Sequence, residues 1–222
     1  MTDQGMDLEG RFREQVQASI STKQALLGDP GQCLAVAQVL IEAYQRGGQM
    51  FLFGNGGSAA DAQHIAAEFL GRFYLERRSL AAHALTVNTS VLTAIANDYS
   101  FDYVYARQLE GLGRPRDVAV GISTSGNAAS VVHGLLRANR MGMTTVAMTG
   151  AGGGRIRDLV NYWVAVPSDD VARIQECHIM IGHIWSELVE AALFGDQAGD
   201  DQAGDDQSGA EANLPGEAVA KR

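Results

Sequence analysis

The chain of 222 residues has little cysteine, no long hydrophobic run and no excess of positive charge. Its two cysteines, Cys33 and Cys177, are too few and too scattered for a disulfide framework or a cysteine zinc site. No apolar run approaches the roughly 20 residues needed to span a bilayer, and the polar N-terminus lacks a signal segment. We therefore expect a cytoplasmic protein in a reducing compartment, with no membrane partner.

The negative charge of the chain is concentrated near its end. The net charge is −9, of which the segment 195–222 carries −5 through five Asp, two Glu, one Lys and one Arg. The preceding 194 residues are thus nearly balanced at −4, so they indicate no nucleic-acid partner. The segment 195–222 also has almost no large apolar residue. We therefore predict a single domain over 1–194 and a disordered acidic tail over 195–222.

Short apolar segments alternate with helical patterns along the body of the chain. Helices are predicted at 8–27 and 32–46, before the first strand. The strand candidates are 50–53, 82–87, 118–122, 144–148 and 162–166. The later helices are predicted at 59–69, 90–96, 103–111, 128–141 and 171–192. This order indicates an α/β fold: a doubly wound, parallel five-stranded sheet flanked by helices, with ligand loops at the carboxyl ends of the strands.

Two turns between a strand and a helix are candidate anion sites. The first is the glycine turn 54–58, where backbone N–H groups meet the positive end of a helix dipole; an ordinary turn with Ser58 as N-cap is the alternative. The second is 123–127, where Ser123, Thr124 and Ser125 offer three hydroxyls to the oxygens of a phosphate monoester. Its alternative is an ordinary serine or threonine N-cap. Neither turn contains Lys or Arg, which favours a monoester over a nucleoside triphosphate.

Two predicted helices carry groups suited to proton transfer or metal binding. His64 and Glu68 lie one turn apart on one face of the first helix. Gln175, His178 and His183 lie on the last helix, although a lone histidine on an apolar helix is more often a core residue than a ligand. The spacing of His64 and Glu68 suits two ligands of one zinc ion. Gln175 and His183 are roughly 12 Å apart along their helix, so spacing alone leaves the zinc site open.

Taken together, these stretches resemble the sugar isomerase (SIS) domain and, more narrowly, the phosphoheptose isomerase family. The resemblance extends over 51–193. It is carried by GNGGSAADAQHIAAE at 54–68, AIAND at 94–98, GISTSGN at 121–127, VPSDD at 166–170, RIQECH at 173–178, and His183. It implies a flavodoxin-like fold and a cytoplasmic homotetramer with active sites built between chains. The implied reaction converts sedoheptulose 7-phosphate to D-glycero-D-manno-heptose 7-phosphate, the first step toward ADP-heptose for lipopolysaccharide core or other surface glycans.

The resemblance also implies a role for each matching residue. The acid/base pair of a cis-enediol mechanism would be Glu68 and His183. The phosphate would be held by Ser123, Thr124 and Ser125. The remaining substrate contacts would come from Asn55, Gly56, Gly57, Glu68, Asn97, Asp98 and Gln175. One zinc ion per subunit would be bound by His64, Glu68, Gln175 and His183.

The chain departs from the family pattern at one position of the hydroxyl loop. Many members have serine where this chain has Ala128, so backbone N–H groups or Ser130 would have to replace one contact. The alternative function is that of a binding protein of the same fold, the DnaA initiator-associating protein, which regulates replication initiation. That protein is expected to lack the equivalent of His183. The presence of Glu68 and His183 favours the isomerase.

Overall fold

A single parallel sheet organises the chain in the computed structural model, which describes residues 7–195. Its five strands lie in the order β2-β1-β3-β4-β5, and every neighbouring pair is parallel. The strands are β1 Met50–Gly54, β2 Ala82–Ala84, β3 Val118–Ile122, β4 Thr144–Thr149 and β5 Tyr162–Ala165. The order reverses direction at β1, as in a doubly wound fold. The predicted fold class is confirmed.

Seven α-helices are described around this sheet in residues 7–195. They are α1 Leu8–Leu27, α2 Gly31–Gln45, α3 Gly57–Leu70, α4 Thr89–Asp98, α5 Val104–Leu112, α6 Ala129–Arg140 and α7 Val171–Phe194. Two short 3-10 helices, Phe101–Tyr103 and Gly154–Leu159, were not predicted. The predicted end of β2 at residue 87 was wrong by three residues. Asn88 caps α4 by accepting a hydrogen bond from the Val91 backbone N–H at 3.0 Å, so the chain leaves the sheet edge before it.

The core lies on both faces of the sheet because successive strand residues point to opposite sides. On β1, Leu52 packs in a cluster with α2, α3 and α7, whereas Phe51 and Phe53 pack in a second cluster with α5 and α6. All residues of β1 and β3 are buried, as expected for central strands covered on both faces. The sheet therefore fixes the positions at which α3, α6 and α7 begin.

The apolar stripe of α1 faces outward in the isolated chain. Leu8, Phe12, Val16 and Ile20 recur every fourth residue, and each is at least 43% exposed. Helix α1 is held to α7 by Arg173, which donates to the Gln15 backbone carbonyl at 2.7 Å. This stripe of four residues is larger than the scattered apolar exposure expected of a soluble surface.

No helix within 7–195 is long and apolar enough to cross a membrane. Apart from Gly195, the predicted acidic tail lies outside the described residues. The tail and the division of the chain at residue 194 therefore remain predictions.

Candidate active site

Helices α3 and α7 lie side by side and run in the same direction. A Cβ atom at Gly57, the first residue of α3, would lie 2.3 Å from the Gln175 side-chain nitrogen. One at Gly182 would lie 2.5 Å from the side chain of Ile65. The earlier residue of α3 meets the earlier residue of α7, and the later meets the later, so the two helices are parallel. Glycine at these positions permits their close approach.

This packing brings three predicted site residues together. The Nε2 atom of His64 lies 2.9 Å from Nε2 of His183 and 3.2 Å from Oε1 of Glu68. The candidate ligand atoms of all three residues lie within 4.8 Å of one another. The side chain of His64 is 52% exposed and that of Glu68 is 22% exposed, so the group is open to a ligand. We call these three residues the His–Glu cluster.

The donor atoms of the His–Glu cluster fit a divalent transition metal. Two imidazole nitrogens and one carboxylate form a donor set that catalytic zinc sites use. Gln175 lies against Gly57, seven residues before His64 along α3, and its place as a fourth ligand remains a prediction.

The Asp61 carboxyl group lies within one turn of the His–Glu cluster. Asp61 precedes His64 by three residues on α3, and its buried Oδ2 atom has no hydrogen-bond partner among residues 7–195. Burial raises the pKa of Asp61 to about 6, while the nearby His64 opposes the rise. Asp61 thus adds a titratable group within one turn of the cluster.

The glycine turn after β1 differs from the N-cap alternative. Gly56 is the N-cap of α3, with φ +57° and ψ −123°, a conformation that side chains other than glycine rarely adopt. Ser58 lies inside the first helical turn and is 3% exposed. The interpretation of Ser58 as N-cap is wrong, because the positive φ at Gly56 starts the helix two residues earlier.

Asn55 is fixed by two side chains that sequence reasoning did not connect to it. The Tyr105 hydroxyl has two acceptors that share its one proton, Asn55 Oδ1 at 3.0 Å and the Gly54 carbonyl. Asn55 Nδ2 donates to Ser130 Oγ at 2.9 Å. No local signal relates these positions, because Asn55 is separated from Tyr105 by 50 residues and from Ser130 by 75.

Ser130 is one of the replacements considered for the serine absent at Ala128. It is 2% exposed, and its Oγ accepts from Asn55, which leaves its own O–H free to donate. The choice between Ser130 and backbone N–H groups stays a prediction.

The hydroxyl loop after β3 is not a serine or threonine N-cap. The N-cap of α6 is Ala128, and no side chain caps it. Ser125 Oγ instead accepts from the Asn127 backbone N–H at 3.2 Å. The N-cap alternative is wrong, because α6 begins four residues after the last hydroxyl of the loop.

Thr124 and Ser125 line a small, partly open cavity of about 180 Å³, to which Val171 and Ile174 at the start of α7 also contribute. That volume is below the roughly 300 Å³ of common ligand pockets and suits a phosphate group better than a whole sugar phosphate. Ser123 is 6% exposed at the base of the loop. The loop has the position expected of a phosphate site at the carboxyl edge of the sheet.

Asn97 and Asp98 lie at the end of α4, where Asn97 Nδ2 donates to Asp98 Oδ1 at 2.9 Å. Within 7–195, no hydrogen bond joins either residue to the His–Glu cluster. Their substrate role stays a prediction. His178, the other histidine considered, is a core residue: it is 0% exposed and contacts the Thr149 carbonyl at 3.3 Å.

A doubly wound parallel sheet with a glycine turn after β1 and a hydroxyl loop after β3 is the arrangement of a sugar isomerase domain. The family described as "SIS domain" matches residues 12–150, more than half of the chain.

Individual relatives indicate one family within the sugar isomerase domains. A phosphoheptose isomerase of Roseiflexus sp. (strain RS-1) is 50% identical over 182 residues, covering 82% of this chain and 92% of its own. One of Aquifex aeolicus (strain VF5) is 54% identical over 159 residues, covering 72% and 83%. The solved phosphoheptose isomerase of Neisseria gonorrhoeae superposes with a TM-score of 0.79 at 40% identity, covering 83% of this chain and 99% of its own. The chain belongs to the phosphoheptose isomerase family.

Proposed function

We propose that the protein converts sedoheptulose 7-phosphate to D-glycero-D-manno-heptose 7-phosphate. The observation that carries this proposal is the meeting of Glu68 and His183 at His64, across two helices that are distant in sequence. The relatives compared above are isomerases, and they favour this activity over the DnaA-associating alternative.

The reaction needs one proton moved between neighbouring carbons and one between neighbouring oxygens. Removal of a C1 proton from the ketose, with protonation of the C2 oxygen, gives a cis-enediol. Return of a proton to C2 and loss of the O1 proton then give the aldose, so atoms and electrons balance without a redox partner. Glu68 and His183 are the acid/base pair for these transfers.

The phosphate group is held away from the reacting carbons. Ser123, Thr124 and Ser125 supply hydroxyls, and the start of α6 supplies the positive end of a helix dipole. Asn55, fixed by Tyr105 and Ser130, lies at the neighbouring turn, where Gly56 and Gly57 expose backbone N–H groups. Gln175, Asn97 and Asp98 complete the substrate contacts, in an active site built between subunits.

The His–Glu cluster is a zinc site, with His64, Glu68 and His183 as ligands and Gln175 as the fourth. When bound, zinc supplies a Lewis acid that polarises the oxygens of the substrate. Residues that hold the ion are less free to carry protons, so tight zinc binding by Glu68 and His183 would limit their acid/base role. Asp61 lies one turn away and remains available as a neighbouring carboxyl.

We further propose that the enzyme is a cytoplasmic homotetramer. The exposed stripe of α1, Leu8, Phe12, Val16 and Ile20, supplies apolar surface for subunit contacts. The product is the first intermediate on the route to ADP-heptose for lipopolysaccharide core or other surface glycans.

The direct test is incubation of the full chain with sedoheptulose 7-phosphate, with and without a chelator, and detection of the aldose product. We expect product from the untreated protein and turnover lowered at least about a hundredfold in a Glu68→Gln variant of unchanged fold. No product under either condition, together with tight DnaA binding, would replace the isomerase with the binding-protein alternative.

A further inference from the structure

A buried ion pair lies beyond the His–Glu cluster, where α3 ends. Arg77 Nε donates to Oε1 of Glu190 at 2.8 Å, and the side chains are 1% and 2% exposed. Burying two charges costs several kcal/mol per ion before their attraction is counted. A buried ion pair of this kind therefore adds little to stability. The other hydrogen bonds of Arg77 and Glu190 indicate what the pair does at this position.

Arg77 completes the end of the helix that carries Glu68. Its Nη2 donates to the backbone carbonyl of Glu68 at 2.9 Å. Its Nη1 donates to the carbonyls of Phe69 at 3.0 Å and Gly71 at 3.1 Å. The last carbonyls of an α-helix have no partner within the helix. Arg77 thus binds the peptide group of a catalytic residue directly.

Glu190 holds the segment that follows α3. Its carboxylate accepts backbone N–H groups of Phe73 at 3.0 Å, Tyr74 at 2.6 Å and Leu75 at 2.8 Å. Burial works against ionisation, but these three bonds and Arg77 hold the pKa of Glu190 below its usual range. The carboxylate is therefore ionised at neutral pH and binds α7 to the segment after α3.

Glu190 is connected to His183 in two ways. Glu190 follows His183 by seven residues on α7, which is two turns along one face and roughly 10 Å. The ring of Phe73, whose N–H is bound by Glu190, stacks on the His183 ring with centroids 5.7 Å apart. One end of the ion pair thus holds the Glu68 backbone, and the other holds the residue that packs on His183.

We propose that Arg77 and Glu190 are positioning residues that fix α3 against α7 and so set the distance between the Glu68 and His183 side chains. This inference rests on the proposed isomerase function. Neither residue touches the substrate. Their effect is on the geometry of the acid/base pair, where a displacement of 1 Å can cost about a hundredfold in rate.

The test compares Glu190→Gln and Arg77→Lys with the wild-type full chain. Glu190→Gln removes the charge at nearly constant volume, and Arg77→Lys keeps the charge but loses the planar fork. We expect kcat to fall about 10- to 100-fold, because the acid/base pair is displaced. The KM for the sugar phosphate should change less than about threefold, because neither residue belongs to the hydroxyl loop that holds the phosphate. Cobalt(II) binding, followed by its visible absorption, should weaken in parallel.

Asp117→Asn is the matched control. Asp117 is 0% exposed, and its carboxylate accepts the backbone N–H groups of Gln49 at 3.0 Å and Arg114 at 2.8 Å. It lies just before the amino end of the central strand β3, whereas the hydroxyl loop and the glycine turn follow the carboxyl ends of the strands. We expect a comparable loss of Tm with unchanged kcat and cobalt affinity. Equal kcat losses in the control and the test variants would reduce the ion pair to a general stabiliser and overturn the proposal.

Phe73→Leu covers the case in which the ion-pair variants fail to fold. It leaves the backbone N–H for Glu190 and removes only the ring on His183. We expect lower kcat and weaker cobalt binding in a folded protein, whereas wild-type values for both would overturn the proposal. Cobalt binding is measured without substrate. An inactive wild-type protein whose cobalt affinity still depends on Glu190 would therefore contradict the proposed function and not the positioning role.

Discussion

The Nε2 atoms of His64 and His183 lie 2.9 Å apart, although 119 residues separate them in the chain. Two imidazole nitrogens at this distance cannot both present lone pairs without repulsion. Either a proton lies between them or a cation binds both, and Glu68 adds a carboxylate 3.2 Å from the same His64 atom. The pair therefore fits either a hydrogen bond, in which one ring donates its Nε2–H to the other, or a shared metal ion.

Glu68→Gln should abolish most isomerisation while leaving the fold intact. The amide keeps the size of the side chain but cannot accept a proton, so we expect kcat to fall by about 10²- to 10⁴-fold. His183→Asn should have a similar effect. Turnover of sedoheptulose 7-phosphate and the Tm are the measurements. Glu76→Gln, at a carboxylate that is 90% exposed, is the control and should keep full activity. Wild-type turnover in Glu68→Gln would eliminate the proposed base.

Metal binding should depend on His64. We expect one zinc ion per chain by metal analysis. In His64→Asn the zinc affinity should fall at least about tenfold, because losing a direct ligand should cost no less affinity than losing a residue that supports a ligand. His83→Asn alters a histidine that contacts Gln49 at 2.7 Å and should bind zinc normally. Equal zinc affinity in the wild type and His64→Asn would place the metal elsewhere.

The elements that were predicted best are those whose pattern is local. Strand β3 was predicted with its observed bounds, because a central strand buried on both faces reads as an uninterrupted apolar run. Helix α1 was also predicted with its observed bounds from its four-residue spacing. The edge strand β2 was predicted too long, because the apolar residues after it lead into the cap of α4.

In the candidate site, too, the contacts within one helix were predictable and the contacts between distant segments were not. The spacing of His64 and Glu68 showed that they share a helix face, but no spacing rule could place His183 beside them. The family resemblance supplied that link. The bonds of Tyr105 to Asn55 and of Arg77 to Glu190 span 50 and 113 residues, and neither was foreseen. The charged residue Glu190, two turns after His183 within an apolar stretch, was the sequence feature that pointed to a buried ion pair there.

Gly182→Ala should separate α3 from α7 and damage the site without touching it. The added Cβ would lie 2.5 Å from Cδ1 and Cγ1 of Ile65, which is 0% exposed and has no room to move. We expect overpacking to cost about 1–3 kcal/mol in the free energy of unfolding, with a fall in kcat.

Gly111→Ala is the control on a helix, because its Cβ meets nothing within 4 Å. It should stabilise the protein by about 0.5–1 kcal/mol. Denaturant unfolding and turnover would be measured for both variants. Unchanged stability and turnover in Gly182→Ala would show that the helix contact is not close.

Gly126→Ala should weaken substrate binding through the hydroxyl loop. Its φ is +66°, and the added Cβ would lie 1.9 Å from the Gly153 carbonyl oxygen, so two backbone segments must move apart. We expect KM for the sugar phosphate to rise more than about tenfold, the effect of losing roughly 1.4 kcal/mol of binding.

Gly47→Ala separates backbone strain from the clash. Gly47 has φ +71°, but its Cβ would meet nothing within 4 Å. This variant should lose about 1–2 kcal/mol of stability through the left-handed conformation and keep its KM. Equal KM values for Gly126→Ala and the wild type would argue against phosphate binding at this loop.

Stability should fall in mild acid because of His178. Burial lowers the pKa of His178 to about 4, with its hydrogen bond to the Thr149 carbonyl partly opposing the shift. In the unfolded chain the pKa returns to about 6.5. Between these values the unfolded state binds more protons, so stability is complete above pH 6.5 and is lost as the pH falls toward 4. The loss should approach about 3 kcal/mol at 1.36 kcal/mol per pKa unit.

Asp61 titrates in the same range with the opposite sign, so the variant His178→Gln is needed to isolate the histidine. The pKa of Asp61 is raised to about 6 in the folded chain, which makes the folded state bind more protons and gain stability as the pH falls through 6. This gain is reduced by solvent because Asp61 is only half-buried. Urea unfolding of the wild type and His178→Gln from pH 4.5 to 7.5 should show a shallower acid loss in the variant. Parallel stability curves would mean that His178 is protonated equally in both states, against the burial that places it in the core.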